Sequence, residues 1–134
     1  MYRWVEHTGE LEVEIEGPTE QAVFEHGFEA MRDLLDGEEG EGERTPVEPR
    51  AVSIRARDRA ALLADWLAEL AFLAESEGFV PERLASLELA ERDLRAVVEG
   101  RHGRPPHLVK AATYHRLSLE RAADGWHARV VLDV

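Results

Sequence analysis

The 134-residue chain contains no cysteine, which excludes disulfides and thiolate chemistry. Nowhere does it approach the roughly 18 uninterrupted apolar residues of a membrane span. Its opening, M-Y-R-W-V-E-H, carries no apolar signal segment and reads as strand. A cytoplasmic location is the resulting expectation. The signatures G-x-S-x-G, Walker A and G-x-G-x-x-G after a strand are also missing. The six histidines do not fall at zinc spacing. H-G-R-P-P-H sets His102 and His107 in a loop with no third ligand nearby, which favours exposed histidines over a metal pair. His7, between Glu6 and Thr8, reads as a packed or surface residue, and His115 as a half-buried imidazole on an apolar face. No nucleophile, base and orienting group assemble into a set, so no catalytic residue is assigned.

A hydrophobic share of 44% and a charged share of 33% suit one soluble domain spanning 1–134, long enough to bury a single core. The formal charge of −12 repels phosphates, so tight direct binding to nucleic acid is not expected. A cationic protein partner or a hard metal ion fits better. Solubility or temperature adaptation explains the same charge without any partner.

Along the chain, residues 2–16 carry strand signals. In L-E-V-E-I-E, Leu11, Val13 and Ile15 face one way and Glu10, Glu12, Glu14 and Glu16 the other. Gly17-Pro18 breaks the strand, and Thr19 is placed to cap a helix over 20–35 with Phe24, Phe28, Met31 and Leu35 on one side. Gly27 weakens that helix and permits a close approach. Residues 36–50, rich in Glu, Gly and Pro, read as a surface loop and not as a calcium loop. A strand is expected at 51–57, followed by a helix from the Asp58 cap to about Ser76, with a broad stripe of Leu62, Leu63, Trp66, Leu67, Leu70 and Leu73. Gly78 ends it, 79–83 connects, and 84–99 forms two short strands hinged near Glu91–Asp93. Residues 100–107 form a loop. Strands gathered after two helices predict an α+β fold, with two amphipathic helices packed on a mixed or antiparallel sheet.

The last 26 residues predict a β-hairpin turning at Asp124-Gly125 and ending at the final residue. In that register Ala123 faces Trp126, Leu119 faces Val130 and Leu117 faces Leu132. Lys110, Tyr114, Arg116, Arg129 and Asp133 occupy the other face. Asp133 and the Val134 carboxylate are then two adjacent anions, which call for a cation, a basic partner or open solvent. Lys110 is a surface lysine or a functional cation at the strand entrance, and Asp65 a solvated helix residue.

Four blocks together resemble one family, the archeases. E-H-T-G-E-L-E-V-E-I-E-G at 6–17 is similar to D-H-T-A-D-[IV]-x-[IV]-x-[AV]-x-G. D-W-L-A-E-L at 65–70 is similar to D-W-L-N-E-L, V-K-A-A-T-Y-H at 109–115 to V-K-A-[VI]-T-Y-H, and the terminal R-V-V-L-D-V to an ending in [VI]-[LI]-D-[VI]. The resemblance implies a small cytoplasmic protein that is not an enzyme. It would activate an RtcB-type, GTP-dependent RNA ligase, promoting guanylylation of the ligase histidine and multiple turnover in tRNA splicing or RNA repair. It also implies a divalent metal, Ca²⁺ or else Mg²⁺ or Mn²⁺, held by Glu10, Asp133 and Val134. Lys110, with Glu10 and Asp133, would act on the ligase. Glu6 and Glu10 stand where the family has Asp, and Ala68 where it has Asn. The rival readings are a general chaperone or interaction module with an acidic surface, and a metal hydrolase using Glu10 and Asp133.

Overall fold

The computed structural model describes residues 1–36, 46–105 and 109–134. The elements run β1 (Tyr2–His7), β2 (Glu10–Gly17), α1 (Glu20–Leu35), β3 (Glu48–Arg55), α2 (Arg59–Glu77), β4 (Phe79–Leu89), β5 (Asp93–His102), β6 (Ala111–Ala122) and β7 (Gly125–Asp133). One sheet has the order β1-β2-β7-β6 and the other β3-β5-β4. Every pairing is antiparallel, and the fold is of the expected α+β class.

The helices begin and end where local chemistry directs. The Thr19 hydroxyl accepts from the Ala22 N–H at 3.0 Å, and the Asp58 carboxylate from the Ala61 N–H at 2.8 Å, each satisfying an otherwise unpaired first-turn donor. Gly78 closes α2 in the left-handed conformation. α1 buries the predicted Phe24, Phe28, Met31 and Leu35. α2 buries far more than one stripe, including Leu62, Leu63, Trp66, Leu67 and Leu70 together with five alanine and leucine neighbours. The reason is its location: each helix touches strands of both sheets, so α2 has little free surface. The Trp66 indole stacks on Phe28 with centroids 6.2 Å apart and donates to the Phe24 carbonyl at 3.1 Å.

Several boundaries differ from expectation. Residues 2–16 are a hairpin, not one strand: Thr8–Gly9 turns the chain so that His7 pairs with Glu10 and Tyr2 with Ile15. The region 79–83, expected as a connector, is the start of β4, with Phe79 and Pro81 buried. Pro81 is tolerated because β4 is an edge strand, where a missing N–H costs little. β3 starts at Glu48, inside the expected loop, and β5 runs on to His102. The rest of the acidic-loop reading, and His107, lie outside the described residues.

The C-terminal hairpin departs from prediction twice. Its turn is Ala123–Asp124, so Ala122 pairs with Gly125 and Leu119 with Ala128, not Val130. That shift of two keeps every side chain on its face. Gly125 serves the start of β7, at φ 133, where an added Cβ would lie 2.6 Å from the Gly17 carbonyl oxygen. The second departure is larger. Between the pairs Thr113↔Val131 and Ser118↔Arg129, four residues of β6 stand against Val130 alone. Leu132 therefore faces Ala112 rather than Leu117, and the alternation of β6 reverses across the bulge.

Candidate functional site

The Thr8–Gly9 turn and the end of β7 meet at one corner of the four-stranded sheet. Glu10 pairs directly with Asp133, which puts the two carboxylates on the same face of adjacent strands, where like charges oppose each other. The Val134 N–H donates to the Gly9 carbonyl at 3.3 Å and the Lys110 N–H to the Asp133 carbonyl at 2.8 Å. All four predicted site residues, Glu10, Lys110, Asp133 and Val134, are thus brought together at this tip.

They do not share one face. The bulge splits the polar set expected on the hairpin. Lys110 lines a groove of about 390 Å³ with Asp65, Glu69 and Phe72 of α2, and Tyr114 also turns toward α2, its hydroxyl donating to Asp65 at 2.8 Å. Arg116 and Arg129 lie on the opposite face, where both approach Glu12. His115 is exposed, not half-buried on an apolar face, because it sits within the bulge.

The outer face carries a ladder of ion pairs. The β2 glutamates meet basic side chains from the flanking strands: Glu14 meets Arg3 and Arg129, and Glu16 lies 3.7 Å from the His127 ring. Glu10 lies 3.5 Å from Arg116. Glu12 lies 3.4 Å from Arg116, 3.6 Å from Arg129 and 3.9 Å from His7. Only 4% of the Glu12 surface is exposed. Its Oε1 has no hydrogen-bond partner among the described residues. By contrast, no ion pair forms to the Asp133 carboxylate or the Lys110 ammonium among the described residues.

Two motif blocks also touch. Asp65, expected to be solvated, accepts the Tyr114 hydrogen bond, and the Arg57 guanidinium stands 5.3 Å over the Tyr114 ring. The Asp65 carboxylate, chiefly through that bond, raises the phenol above its ordinary titration range. Sequence reasoning missed this contact, the burial of Glu12 and the reach of Arg116. One overlooked signal was available. Of the 16 lysines and arginines, Lys110 is the single lysine, so an ammonium, and not the arginine used everywhere else, stands at this tip.

Glu10 and Asp133 are hard oxygen donors of the kind that hold Ca²⁺ or Mg²⁺. Among the described residues no three His, Cys, Asp or Glu side chains converge around an ion position. The Val134 main chain, whose N–H reaches the Gly9 carbonyl, lies at the same corner. In chemistry the Glu10 and Asp133 carboxylates fit a hard divalent ion.

The sequence matches the model of the archease protein family over residues 2–134. The chain belongs to the archease family. Similar proteins include the archease of Methanosarcina acetivorans, 34% identical over 99% of this chain and 95% of its own length. The archease of Thermococcus gammatolerans is 32% identical over the whole of both chains. Among solved structures, a Thermotoga maritima archease described as a possible chaperone superposes with a TM-score of 0.68 at 22% identity, covering 97% of this chain and 94% of that one. The solution structure of Methanobacterium thermoautotrophicum protein 1598 gives 0.66 at 23%, covering 99% and 98%. At those identities the two structures speak for the archease fold alone. Among the described residues of this archease, no helix is long and apolar enough to cross a membrane.

Proposed function

We propose that this archease is a cytoplasmic protein cofactor, not an enzyme, that activates an RtcB-type GTP-dependent RNA ligase in tRNA splicing or RNA repair. Membership of the family supports the reading. The observation that carries it is the tip itself: Lys110 is bonded through its main chain to Asp133, which pairs with Glu10. An ammonium and a carboxylate, each without an ion-pair partner among the described residues, stand at one corner, ready for a partner.

In this reading Glu10, Asp133 and Val134 would hold Ca²⁺, or else Mg²⁺ or Mn²⁺. Such an ion would supply positive charge toward the phosphates of the ligase nucleotide. Lys110 reaches from the α2 side of the tip toward an anionic group of the ligase. Together they favour the arrangement in which the ligase histidine is guanylylated, and they return the enzyme to that state after each ligation. The negative chain contacts ligase and not RNA, because its own field repels the phosphodiester backbone.

A multiple-turnover ligation assay with the cognate ligase tests this. The wild type should raise turnover, and Lys110→Ala or Asp133→Ala should lose the gain. No gain from the wild type would end the proposal.

The description of the Thermotoga maritima relative as a possible chaperone favours a second reading, a general interaction module with an acidic surface. It predicts suppressed aggregation of unrelated clients, with no dependence on Lys110.

A further inference from the structure

We propose that Arg116 is a built-in cation for the tip. It holds the Glu10 carboxylate when no metal is bound, competes with a divalent ion for it, and so sets how tightly this archease binds metal. The inference rests on the metal-binding reading of Glu10 and Asp133.

Three observations carry it. First, Arg116 reaches carboxylates on a strand it does not pair with. β6 and β2 are separated by β7, yet the Arg116 guanidinium lies 3.5 Å from Glu10 and 3.4 Å from Glu12, both on β2. The side chain therefore passes over β7, where Val131, between Glu12 and Thr113 in the register, is fully buried.

Second, the backbone is bent to allow this. Arg116 has φ 58, and no other residue apart from glycine has positive φ among the described residues. L side chains seldom adopt that region, and such outliers persist where surrounding structure fixes them, often at functional sites. The four-residue bulge around Arg116 is what lifts it across β7.

Third, the grip is incomplete. Both separations exceed the about 2.7–3.2 Å of a good N–H···O bond. Glu12 Oε1, although buried, accepts no hydrogen bond among the described residues. Arg129 stands 3.6 Å from the same carboxylate, so Glu12 keeps a counter-charge if Arg116 moves away. Glu10 has no cation but Arg116 among the described residues. A bound divalent ion at Glu10 and Asp133 would meet a guanidinium a few ångströms away, and the two positive charges would repel. The arginine lowers metal affinity while keeping Glu10 compensated in the metal-free protein.

Calcium titration by isothermal calorimetry at fixed ionic strength tests the idea, using wild type, Arg116→Gly and Arg116→Lys. Glycine suits positive φ and removes the charge, so Arg116→Gly should bind calcium about tenfold more tightly, the order expected for one unit charge near a divalent ion in a watery site. Arg116→Lys should stay near wild type. Wild-type binding that Arg116→Gly leaves equal or weaker overturns the role of Arg116 and leaves the metal reading standing. No calcium binding by any of the three overturns both. A second measurement needs no variant: in labelled wild-type protein the Arg116 side-chain Nε–H resonance should shift as calcium is added and Glu10 is withdrawn. An unmoved resonance under saturating calcium also overturns the proposal.

Discussion

The Tyr114 hydroxyl of β6 donates to the Asp65 carboxylate of α2 at 2.8 Å, tying the strand that enters from Lys110 to the helix across the groove. Two short sequence blocks, 65–70 and 109–115, are thereby one structural unit. The bond sets the position of the β6 entrance relative to α2, and with it the wall on which Lys110 stands.

The bond has a pH signature. The Asp65 hydrogen bond, with burial next, favours the neutral phenol and raises Tyr114 above its ordinary range. Folding thus gains from a protonated Tyr114. That gain is complete below the unfolded phenol value, about 10, and is lost as pH rises through the higher folded value. In a Tyr2→Phe background, ultraviolet titration should find the remaining phenol ionising late. Asp65→Asn should bring it back down, and Tyr114→Phe should cost about 0.5–1.5 kcal/mol at neutral pH.

Trp66 anchors the layer behind this wall. It is fully buried, stacked on Phe28 and bonded to Phe24. Trp66→Ala should cost about 3–5 kcal/mol in urea unfolding. A variant of the tip, such as Asp133→Asn, should leave metal-free stability within about 1 kcal/mol, since no ion pair is broken. This difference separates failures of folding from failures of function.

Calcium should stabilise the wild type by binding the native state alone. At a hundredfold excess over the dissociation constant the gain is about 2.7 kcal/mol, visible as a higher melting temperature. Asp133→Asn should abolish that rise, and Asp65→Asn, on the other side of the sheet, should leave it intact.

The lone lysine offers a chemical probe. Reductive methylation can alter only Lys110 and the amino terminus, and it preserves the charge at Lys110. Acetylation removes that charge. If the ammonium acts by charge, acetylated protein should lose ligase activation and methylated protein should keep it, with both melting near the wild-type temperature.

Much of the fold was legible because its signals are local. Thr19, Asp58 and Gly78 bound the helices as read, since capping depends on a few neighbouring groups. The alternation in β2 correctly sorted Val13 and Ile15 from the glutamates. What could not be read depends on distant parts. Glu12 looks like any solvent-facing glutamate until Arg116, over a hundred residues later, crosses β7 to cover it. The bulge that reverses β6 has no glycine to mark it, and its positive-φ residue is an arginine. It is this reversal that parts Lys110 from Arg116. The Asp-Gly pair gave the turn but misled by one position, because glycine serves the close approach of β7 to Gly17. The tip was legible as a set of residues, through the resemblance of blocks, but not as a geometry with two sides.

The most direct test of the account is guanylylation of the ligase histidine, followed with labelled GTP after one round of ligation, with and without this archease. Rapid re-guanylylation is expected with the wild type, and loss of that acceleration with Lys110→Ala and with Asp133→Ala, both still folded. Equal rates with and without the wild-type protein, or full acceleration by both variants, would contradict it.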